Sequence, residues 1–471
     1  MADTKDKVHF VGIGGCGMSA LAQFHAMGGG EASGSDRLLD RGQIADLRER
    51  LEALGVRLVA QDGSGIDSGT REVVASTAVE DSNRDVARAR ELGIPVVLRA
   101  DALARHVAGH RTLAVAGTSG KSTVTAMAYE ILEVGGLGPS LITGAPLNRL
   151  VDKGLIGNAF RGDSDLLVAE ADESDGMLPK YEPWIGLLLN LGKDHKEVSE
   201  IRDMFLKLRS RSRRFVVNAD AANLAELREG SVSFGFSGGS VRGRDLKTGP
   251  RGSTFSVDGV RFEVPLPGRH NAENALAAAA ACIEAGVALE TAAGALARYR
   301  GVARRFEAVG TSDGVEVIDD YAHNPDKVKA ALAAAHLRAG RVLAVYQPHG
   351  FGPTRFLKAE FIEAFAAALG PSDVLWLSEI YYAGGTAVRD ITSDDIAAPL
   401  RSRGVDARYA PDREAVAGEI ARAARPGDVV LVLGARDPTL GAYARRILEA
   451  LRRRCWRPEE GREASPTRSA P

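Results

Sequence analysis

The sequence predicts an α/β protein with an N-terminal Rossmann-like domain, a central P-loop ATPase-type domain with a small β-hairpin region, and a C-terminal Rossmann-like domain. Two glycine-rich loops each follow an apolar run and precede a helical pattern, in residues 8–27 and 113–132. Later apolar runs also end in polar clusters, which is typical of β-α-β units. At 471 residues the chain exceeds a single hydrophobic core. We expect domains at 1–109, 110–300 and 301–456, with a disordered tail at 457–471.

The composition excludes several classes of partner. The net charge is −2 and the charged residues, 26% of the chain, are intermixed, so no basic field favours nucleic acid or a membrane surface. No apolar window is long enough to span a membrane, and the N-terminus lacks a signal-peptide core. Cys16, Cys282 and Cys455 lie far apart, without the spacing of a metal site or disulfide framework. We expect a cytoplasmic monomer or homodimer.

The first element is a strand at Val8–Val11, followed by a loop that matches G-x-G-x-x-G and contains Gly14, Gly15 and Gly17. Asp36 falls where an acidic residue contacts the ribose in dinucleotide-binding folds. The loop alone fits NAD or FAD, but the second nucleotide loop downstream favours a different ligand here.

Ser76 and Thr77 follow the apolar run Glu72–Ala75. At the carboxyl edge of a parallel sheet their hydroxyl groups can contact a ligand. Capping of the next helix is an equally open role.

The second glycine loop begins after a strand at Leu113–Ala116 and leads into a helix at Val124–Leu132. It consists of Gly117, Thr118, Ser119, Gly120, Lys121, Ser122 and Thr123. Backbone N–H groups, the helix dipole and the lysine charge together suit a phosphate. Val115 stands where the common P-loop has glycine, so this is a shorter form. An ordinary glycine turn before a helix is the alternative.

Carboxylates follow the next strand, Asp165–Ala169. Glu170, Asp172, Glu173 and Asp175 repel one another unless a cation is present, which predicts Mg²⁺ rather than a solvated acidic loop. A third strand at 185–190 is followed by Asp194 and His195. His195 is either a second metal ligand or a structural histidine.

The remaining chain predicts a hairpin, a helix and a third α/β domain. Residues 253–264 alternate as a hairpin does, and an alanine-rich helix follows His270 and Asn271. Residues 301–306 are expected to be a hinge. The last domain has four predicted strands, each ending in a polar cluster: 316–320, 341–347, 373–377 and 428–433.

In combination, these residues resemble the Mur ligase family over nearly the whole chain. The segments that carry the resemblance, in the family's order, are 11–19 with 34–36, 117–123, 170–175, 190–195, 267–271, 304–306, 320–325 and 347–349. Each motif is weak alone, but eight in the same order are specific.

The resemblance implies an ATP-dependent amide ligase of peptidoglycan precursor synthesis. ATP would phosphorylate the carboxylate of UDP-N-acetylmuramate, and the amine of L-alanine would displace phosphate from the acyl phosphate. The N-terminal domain would hold the UDP-sugar, the central domain ATP, and the C-terminal domain would close over both.

By the same resemblance, individual residues take roles. Lys121, Glu173 and His195 would be catalytic, with Mg²⁺ held by Ser122, Glu173 and His195. ATP would contact the loop 117–123, His270, Asn271, Arg305 and Asp320. The substrates would contact Gly14, Gly15, Gly17, Ser19, Asp36, Ser76, Thr77, His323, His349 and Arg355.

The acceptor segment, which we expect to be a loop, departs from the alanine-adding branch. Gly350–Arg355 offers one arginine where that branch usually has several, and His323-Asn324 replaces a histidine pair. A ligase that adds a peptide amine in muropeptide recycling, and a non-catalytic nucleotide-binding paralogue, therefore stay open. An NAD-dependent oxidoreductase leaves the phosphate loop and acidic strand end unexplained.

Overall fold

The computed structural model describes residues 6–173, 178–192, 197–382 and 388–455. The chain divides after Ala303 into two compact units. The predicted residues Asp175, Asp194 and His195, and the predicted tail 457–471, lie outside the described residues. Within those ranges, no helix has the length and apolar character needed to cross a membrane.

The first unit opens with a five-stranded parallel sheet whose central strand precedes the first glycine loop. Its strands are β1 (Lys7–Val11), β2 (Glu31–Ser35), β3 (Arg57–Leu58), β4 (Glu72–Ala75) and β5 (Val96–Leu98), in the order β3-β2-β1-β4-β5. Its helices are α1 (Cys16–Met27), α2 (Arg37–Asp40), α3 (Ala45–Ala53), α4 (Arg84–Glu91) and α5 (Arg99–Gly109). Because β1 and β4 are neighbours, the segments that follow them share one sheet edge.

An eight-stranded sheet forms the centre of the first unit. Its strands are β6 (Arg111–Ala116), β7 (Ser140–Ile142), β8 (Ala159–Phe160), β9 (Leu166–Glu170), β10 (Ile185–Leu188), β11 (Arg214–Asn218), β12 (Val232–Gly235) and β13 (Val241–Arg242). The order is β13-β12-β11-β10-β6-β9-β7-β8, with β8 antiparallel to β7. The helices are α6 (Lys121–Val134), α7 (Asn148–Val151), α8 (Val198–Arg211), α9 (Arg269–Glu284) and α10 (Leu289–Ala297), with 3₁₀ turns at Leu178–Lys180 and Ala222–Leu227. The phosphate loop after β6 therefore lies between the ends of β9 and β10.

The predicted hairpin is confirmed and belongs to a three-stranded antiparallel sheet. Its strands are β14 (Arg244–Gly249), β15 (Gly252–Val257) and β16 (Val260–Val264). Alternate residues of β15 are buried, and Phe255 stacks on Phe262 with 5.0 Å between ring centroids. This period-two pattern explains why the sequence alone identified the hairpin.

The second unit is a six-stranded sheet with helices on both faces. Its strands are β17 (Glu307–Ser312), β18 (Val315–Asp320), β19 (Val342–Gln347), β20 (Val374–Ser378), β21 (Ala407–Ala410) and β22 (Val429–Gly434), in the order β17-β18-β22-β19-β20-β21. All pairs are parallel except β17 with β18. The helices are α11 (Pro325–His336), α12 (Phe351–Phe356), α13 (Lys358–Ala368), α14 (Asp394–Ser402), α15 (Arg413–Ala423) and α16 (Leu440–Cys455).

Most predicted elements are present, with one difference near the acceptor segment. Gly350–Arg355, which the sequence suggested as a loop, forms most of α12 instead. Gly350 has φ +71°, and its carbonyl accepts a hydrogen bond from the Thr354 hydroxyl at 2.8 Å. Proline is compatible with the first turn of a helix, so Pro353 does not interrupt it.

Candidate active site

The phosphate loop turns sharply between β6 and α6, and glycine makes that turn accessible. Gly120 caps α6 with φ +86°, in the left-handed region that side chains disfavour. A Cβ atom there would lie 2.5 Å from Oδ1 of Asn274, so the Asn274 side chain would have to move. Glycine is therefore favoured by the backbone conformation and leaves room for Asn274.

Asn190, just beyond β10, holds this loop in shape. Its Oδ1 accepts hydrogen bonds from the Thr118 hydroxyl at 3.0 Å and from the Ser119 N–H at 2.9 Å. Its Nδ2 donates to the Ser119 carbonyl at 3.0 Å. One amide side chain thereby satisfies three polar groups of the loop and holds its backbone in place.

Lys121, at the start of α6, is buried against the acidic end of β9. Its Nζ lies 2.7 Å from Oε2 of Glu173 and 3.5 Å from Oδ1 of Asp172. Burial disfavours the ammonium, but the carboxylates of Asp172, Glu173 and Glu170 outweigh burial and raise the pKa of Lys121. Burial raises the pKa of Glu173, and the ammonium of Lys121 opposes that rise. Lys121 is therefore a fixed positive charge beside the loop.

Glu170 connects Ser122 to the segment that follows β7. From the sequence alone it was identified only as one member of an acidic cluster. Its Oε1 accepts from the Ser122 hydroxyl at 3.0 Å. Its Oε2 accepts from the Thr143 hydroxyl and the Gly144 N–H, both at 2.8 Å. Ser122 is thus in contact with Glu170, whereas Glu173 is engaged by Lys121. In the described ranges, no three His, Cys, Asp or Glu side chains converge on a single point.

His270 and Asn271 lie in the first turn of α9. The Asn271 amide is buried and donates to the Pro267 carbonyl at 2.8 Å. Burial lowers the pKa of His270 to about 4, so its imidazole is neutral at pH 7. Asn274, one turn further along α9, has its side chain against Gly120, so this end of α9 lies beside the phosphate loop.

The N-terminal glycine loop is braced by Asp36. Its Oδ2 accepts from the Gly14 N–H at 3.0 Å, and its Oδ1 caps α2 by accepting from the Leu38 N–H at 2.7 Å. Gly15 caps α1, and a Cβ atom on Gly17 would lie 2.8 Å from an Arg99 nitrogen.

Three further substrate candidates of this domain differ in exposure: Ser19 is buried, Ser76 is half-buried and Thr77 is exposed. Ser19 donates to the Cys16 carbonyl at 3.0 Å and accepts from Asn158 at 3.0 Å. Ser76 and Thr77 follow β4 at the same sheet edge as the glycine loop. The next helix is capped by Asn83, so the capping role left open for Ser76 and Thr77 is wrong.

In the second unit, the predicted ATP contacts are neighbours. Asp320 accepts from the backbone N–H groups of Phe306 and Ala322, both at 2.7 Å. Burial raises its pKa, and the charge of Arg305 opposes this. The Arg305 guanidinium lies 4.5 Å from the centre of the Tyr321 ring.

Three substrate contacts are predicted in this unit. His323 and His349 lie together, and Arg355 has other partners. The rings of His323 and His349 lie 5.5 Å apart. His323 Nδ1 donates to the Tyr321 carbonyl at 2.9 Å, and burial lowers its pKa well below its usual range. Arg355 instead pairs with Asp390 and donates to the Val388 carbonyl at 3.3 Å.

Fold and loop together define an α/β protein with a short glycine loop suited to a phosphate. Family models for Mur ligases match in succession: the "catalytic domain" at residues 7–111, the "middle domain" at 115–282 and the "glutamate ligase domain" at 304–436. The chain belongs to the Mur ligase family.

Relatives that match nearly the full chain are named as ligases. The UDP-N-acetylmuramate–L-alanine ligase of Paenarthrobacter aurescens is 39% identical, over 94% of this chain and 97% of its own. That of Streptomyces avermitilis is 38% identical over 95% and 97%. The crystal structure of UDP-N-acetylmuramate-alanine ligase MurC from Thermotoga maritima matches with TM-score 0.77 and 27% identity over 94% and 98%.

These comparisons confirm the predicted family, the predicted α/β class and the prediction that the chain is a ligase. The murein peptide ligase mpl of Psychrobacter arcticus has the same fold, with TM-score 0.70, but at 20% identity it indicates fold alone. The roles of the individual site residues, and the domain bounds 1–109, 110–300 and 301–456, stay predictions.

Proposed function

We propose that this chain joins L-alanine to the carboxylate of UDP-N-acetylmuramate and converts ATP to ADP and phosphate. The observation that carries the proposal is the phosphate loop, with Lys121 held among carboxylates, in a chain 39% identical to a ligase of that name across nearly its full length. The family and the loop chemistry point to the same reaction.

A carboxylate is a poor electrophile, so it must be activated before an amine can attack it. A carboxylate oxygen of the sugar substrate attacks the γ-phosphorus of ATP, ADP leaves, and an acyl phosphate forms. The neutral amine of L-alanine then attacks the acyl carbon, phosphate leaves, and the nitrogen loses a proton. Phosphoryl transfer needs positioning and charge neutralisation more than covalent chemistry from the protein. Lys121 is placed to supply positive charge beside the loop.

The donor atoms near Lys121 fit Mg²⁺. Hydroxyl and carboxylate oxygens are ligands that Mg²⁺ prefers. The Ser122 hydroxyl and the Glu170 carboxylate lie next to each other, joined by a hydrogen bond of 3.0 Å. Ser122 and Glu170 would hold the ion, with Glu173 and His195 as the further predicted ligands. Mg²⁺ would neutralise phosphate charge.

The other predicted contacts are assigned to the ligand that each would bind. The N-terminus of α6, next to the loop that Asn190 holds in shape, would hold the phosphates. A neutral His270, with Asn271, suits adenine better than phosphate. Arg305 and Asp320 would contact ATP from the second unit. Gly14, Gly15, Gly17, Ser76 and Thr77 would hold the UDP-sugar, with Ser19 and Asp36 stabilising the loop.

Phosphate release tests the proposal directly. Purified protein is mixed with ATP, Mg²⁺, UDP-N-acetylmuramate and L-alanine, and each component is omitted in turn. We expect release only from the complete mixture. Release with a tripeptide but not with L-alanine would assign the chain to muropeptide recycling. Absence of release with every amine tested would contradict a ligase and favour a non-catalytic paralogue.

A further inference from the structure

The second unit has a topological switch point at the carboxyl ends of β19 and β22. β19 leads to α12 and α13, and α13 packs with α11 on one face of the sheet. β22 leads to α16, which packs with α15 on the other face. β19 and β22 are neighbours in the sheet. Because the connections after β19 and β22 run to opposite faces of the sheet, they leave a crevice at the strand ends. Open α/β sheets bind ligands in such a crevice.

Two arginines near this crevice are already neutralised. Arg413 donates to Gln347 Oε1 and to Asp437 Oδ2, both at 2.7 Å. Arg304 donates to the Gly434 carbonyl at 2.7 Å and pairs with Asp319 at 3.1 Å. Their role is to shape the strand ends.

Arg436 differs from both. It lies two residues after the end of β22, and its side chain is exposed. Within the part of the chain that the structure describes, its guanidinium has no ion pair or hydrogen bond. Its backbone φ of +64° lies in the left-handed region, where any residue but glycine is strained. Strain of this kind persists where the surrounding structure imposes it, often at binding sites.

The backbone of Arg436 joins the histidine pair through Tyr321. The Arg436 N–H donates to the Tyr321 hydroxyl at 3.3 Å. The Tyr321 ring meets His323 edge-on with centroids 5.6 Å apart, and His323 in turn lies against His349. The backbone that carries Arg436 is therefore joined to the predicted substrate contacts.

We propose that Arg436 binds the α-carboxylate of the amine substrate and thereby selects a free amino acid. The inference rests on the proposed function. L-Alanine presents one carboxylate beside its reacting amine, and a guanidinium can hold it with two parallel hydrogen bonds. Arg355, the cation expected from the sequence, is instead paired with Asp390.

The test variant is Arg436→Gly, because it removes the guanidinium and also relieves the strained backbone. We expect KM for L-alanine to rise roughly 10- to 100-fold, as for loss of a charge-assisted pair, with KM for ATP within about 2-fold. The melting temperature should equal or exceed that of the parent protein. Arg436→Lys should restore part of the affinity. L-Alaninamide lacks the carboxylate. The ratio of kcat/KM for L-alanine to kcat/KM for L-alaninamide should therefore be smaller in Arg436→Gly than in the parent protein.

Asp258→Gly is the matched control, since Asp258 has φ +46° in the β15–β16 turn of the other unit. It should leave both KM values unchanged. An unchanged KM for L-alanine in Arg436→Gly, a rise in KM for ATP alone, or a larger effect of Arg355→Ala would overturn the inference. Absence of turnover in the parent protein would overturn the proposed function and this inference together.

Discussion

Glu130 is a carboxyl group buried in α6, the helix that begins at the phosphate-loop lysine. It is 1% exposed, and its nearest cationic nitrogen, on Arg149, is 3.9 Å away. Burial raises the pKa of Glu130 from 4.5 to about 7, and the charge of Arg149 opposes this rise. Between about pH 4.5 and about pH 7, the folded protein therefore holds a proton here that the unfolded chain has released.

This difference predicts a pH dependence of stability. As pH rises from about 4.5 to about 7, the folded state becomes less favoured by on the order of 3 kcal/mol at this site. Glu130→Gln keeps the shape without the charge, so it should raise the free energy of unfolding at pH 8 and change it less at pH 5. Urea unfolding at both pH values measures this, with Glu133→Gln for comparison. An equal effect at both pH values would contradict a buried, titrating carboxyl.

Single residues of the site were predictable to different degrees. Lys121 and Ser122 could be identified because a loop motif is local in sequence and its chemistry follows from spacing. The contacts of Asn190 and Glu170 could not, because their partners lie 71 and 48 positions away and are brought close only by strand order. The pairing of Arg355 with Asp390 likewise depends on tertiary structure that no local pattern encodes.

At the scale of the elements, the turn from β6 into α6 leaves little room for a side chain. Gly120→Ala should lower the free energy of unfolding by roughly 1–3 kcal/mol, because the alanine would meet both a left-handed backbone and Asn274. It should also raise KM for ATP, since the loop N–H groups would shift.

Gly294→Ala is the control, inside α10 with no atom within 4 Å of the added Cβ. It should stabilise by about 0.5–1 kcal/mol, because alanine favours helix more than glycine. Thermal unfolding and ATP kinetics measure both variants. Equal stability of Gly120→Ala and the parent protein would show that the turn tolerates a side chain.

Elements were predictable where their periodicity was strong. The strands of the parallel sheets and the β15–β16 hairpin follow runs of buried residues, and their positions agree with the sequence. α12 was missed because Gly350 and Pro353 are turn residues in most contexts, and here tertiary packing and the Thr354 contact favour a helix. Tertiary context overrides local preference most easily in such short segments.

For the whole molecule, the two loops of the first unit lie on different sheets, which predicts separable functions. Lys121→Ala should abolish turnover because it removes the charge beside the phosphate loop. Binding of UDP-N-acetylmuramate, measured by calorimetry, should persist, because the N-terminal glycine loop keeps its own contacts. Lys153→Ala, at an exposed ion pair with Glu133, is the control and should remain active. Equal loss of turnover and of sugar binding would contradict separate sites.

Asn158, just before β8, ties these two sheets together. Its Nδ2 donates to the Cys16 carbonyl at 2.6 Å and the Ser19 hydroxyl at 3.0 Å, and its Oδ1 accepts from Gln23 at 2.7 Å. All of these partners are in α1, so residues 1–109 are not an independent module. A chimera that imports an N-terminal domain from another family member would have to bring a matching α1 for Asn158, or leave a buried amide without partners. The contacts between Asn158 and α1 therefore limit which N-terminal domains can be exchanged between such enzymes to change their sugar specificity.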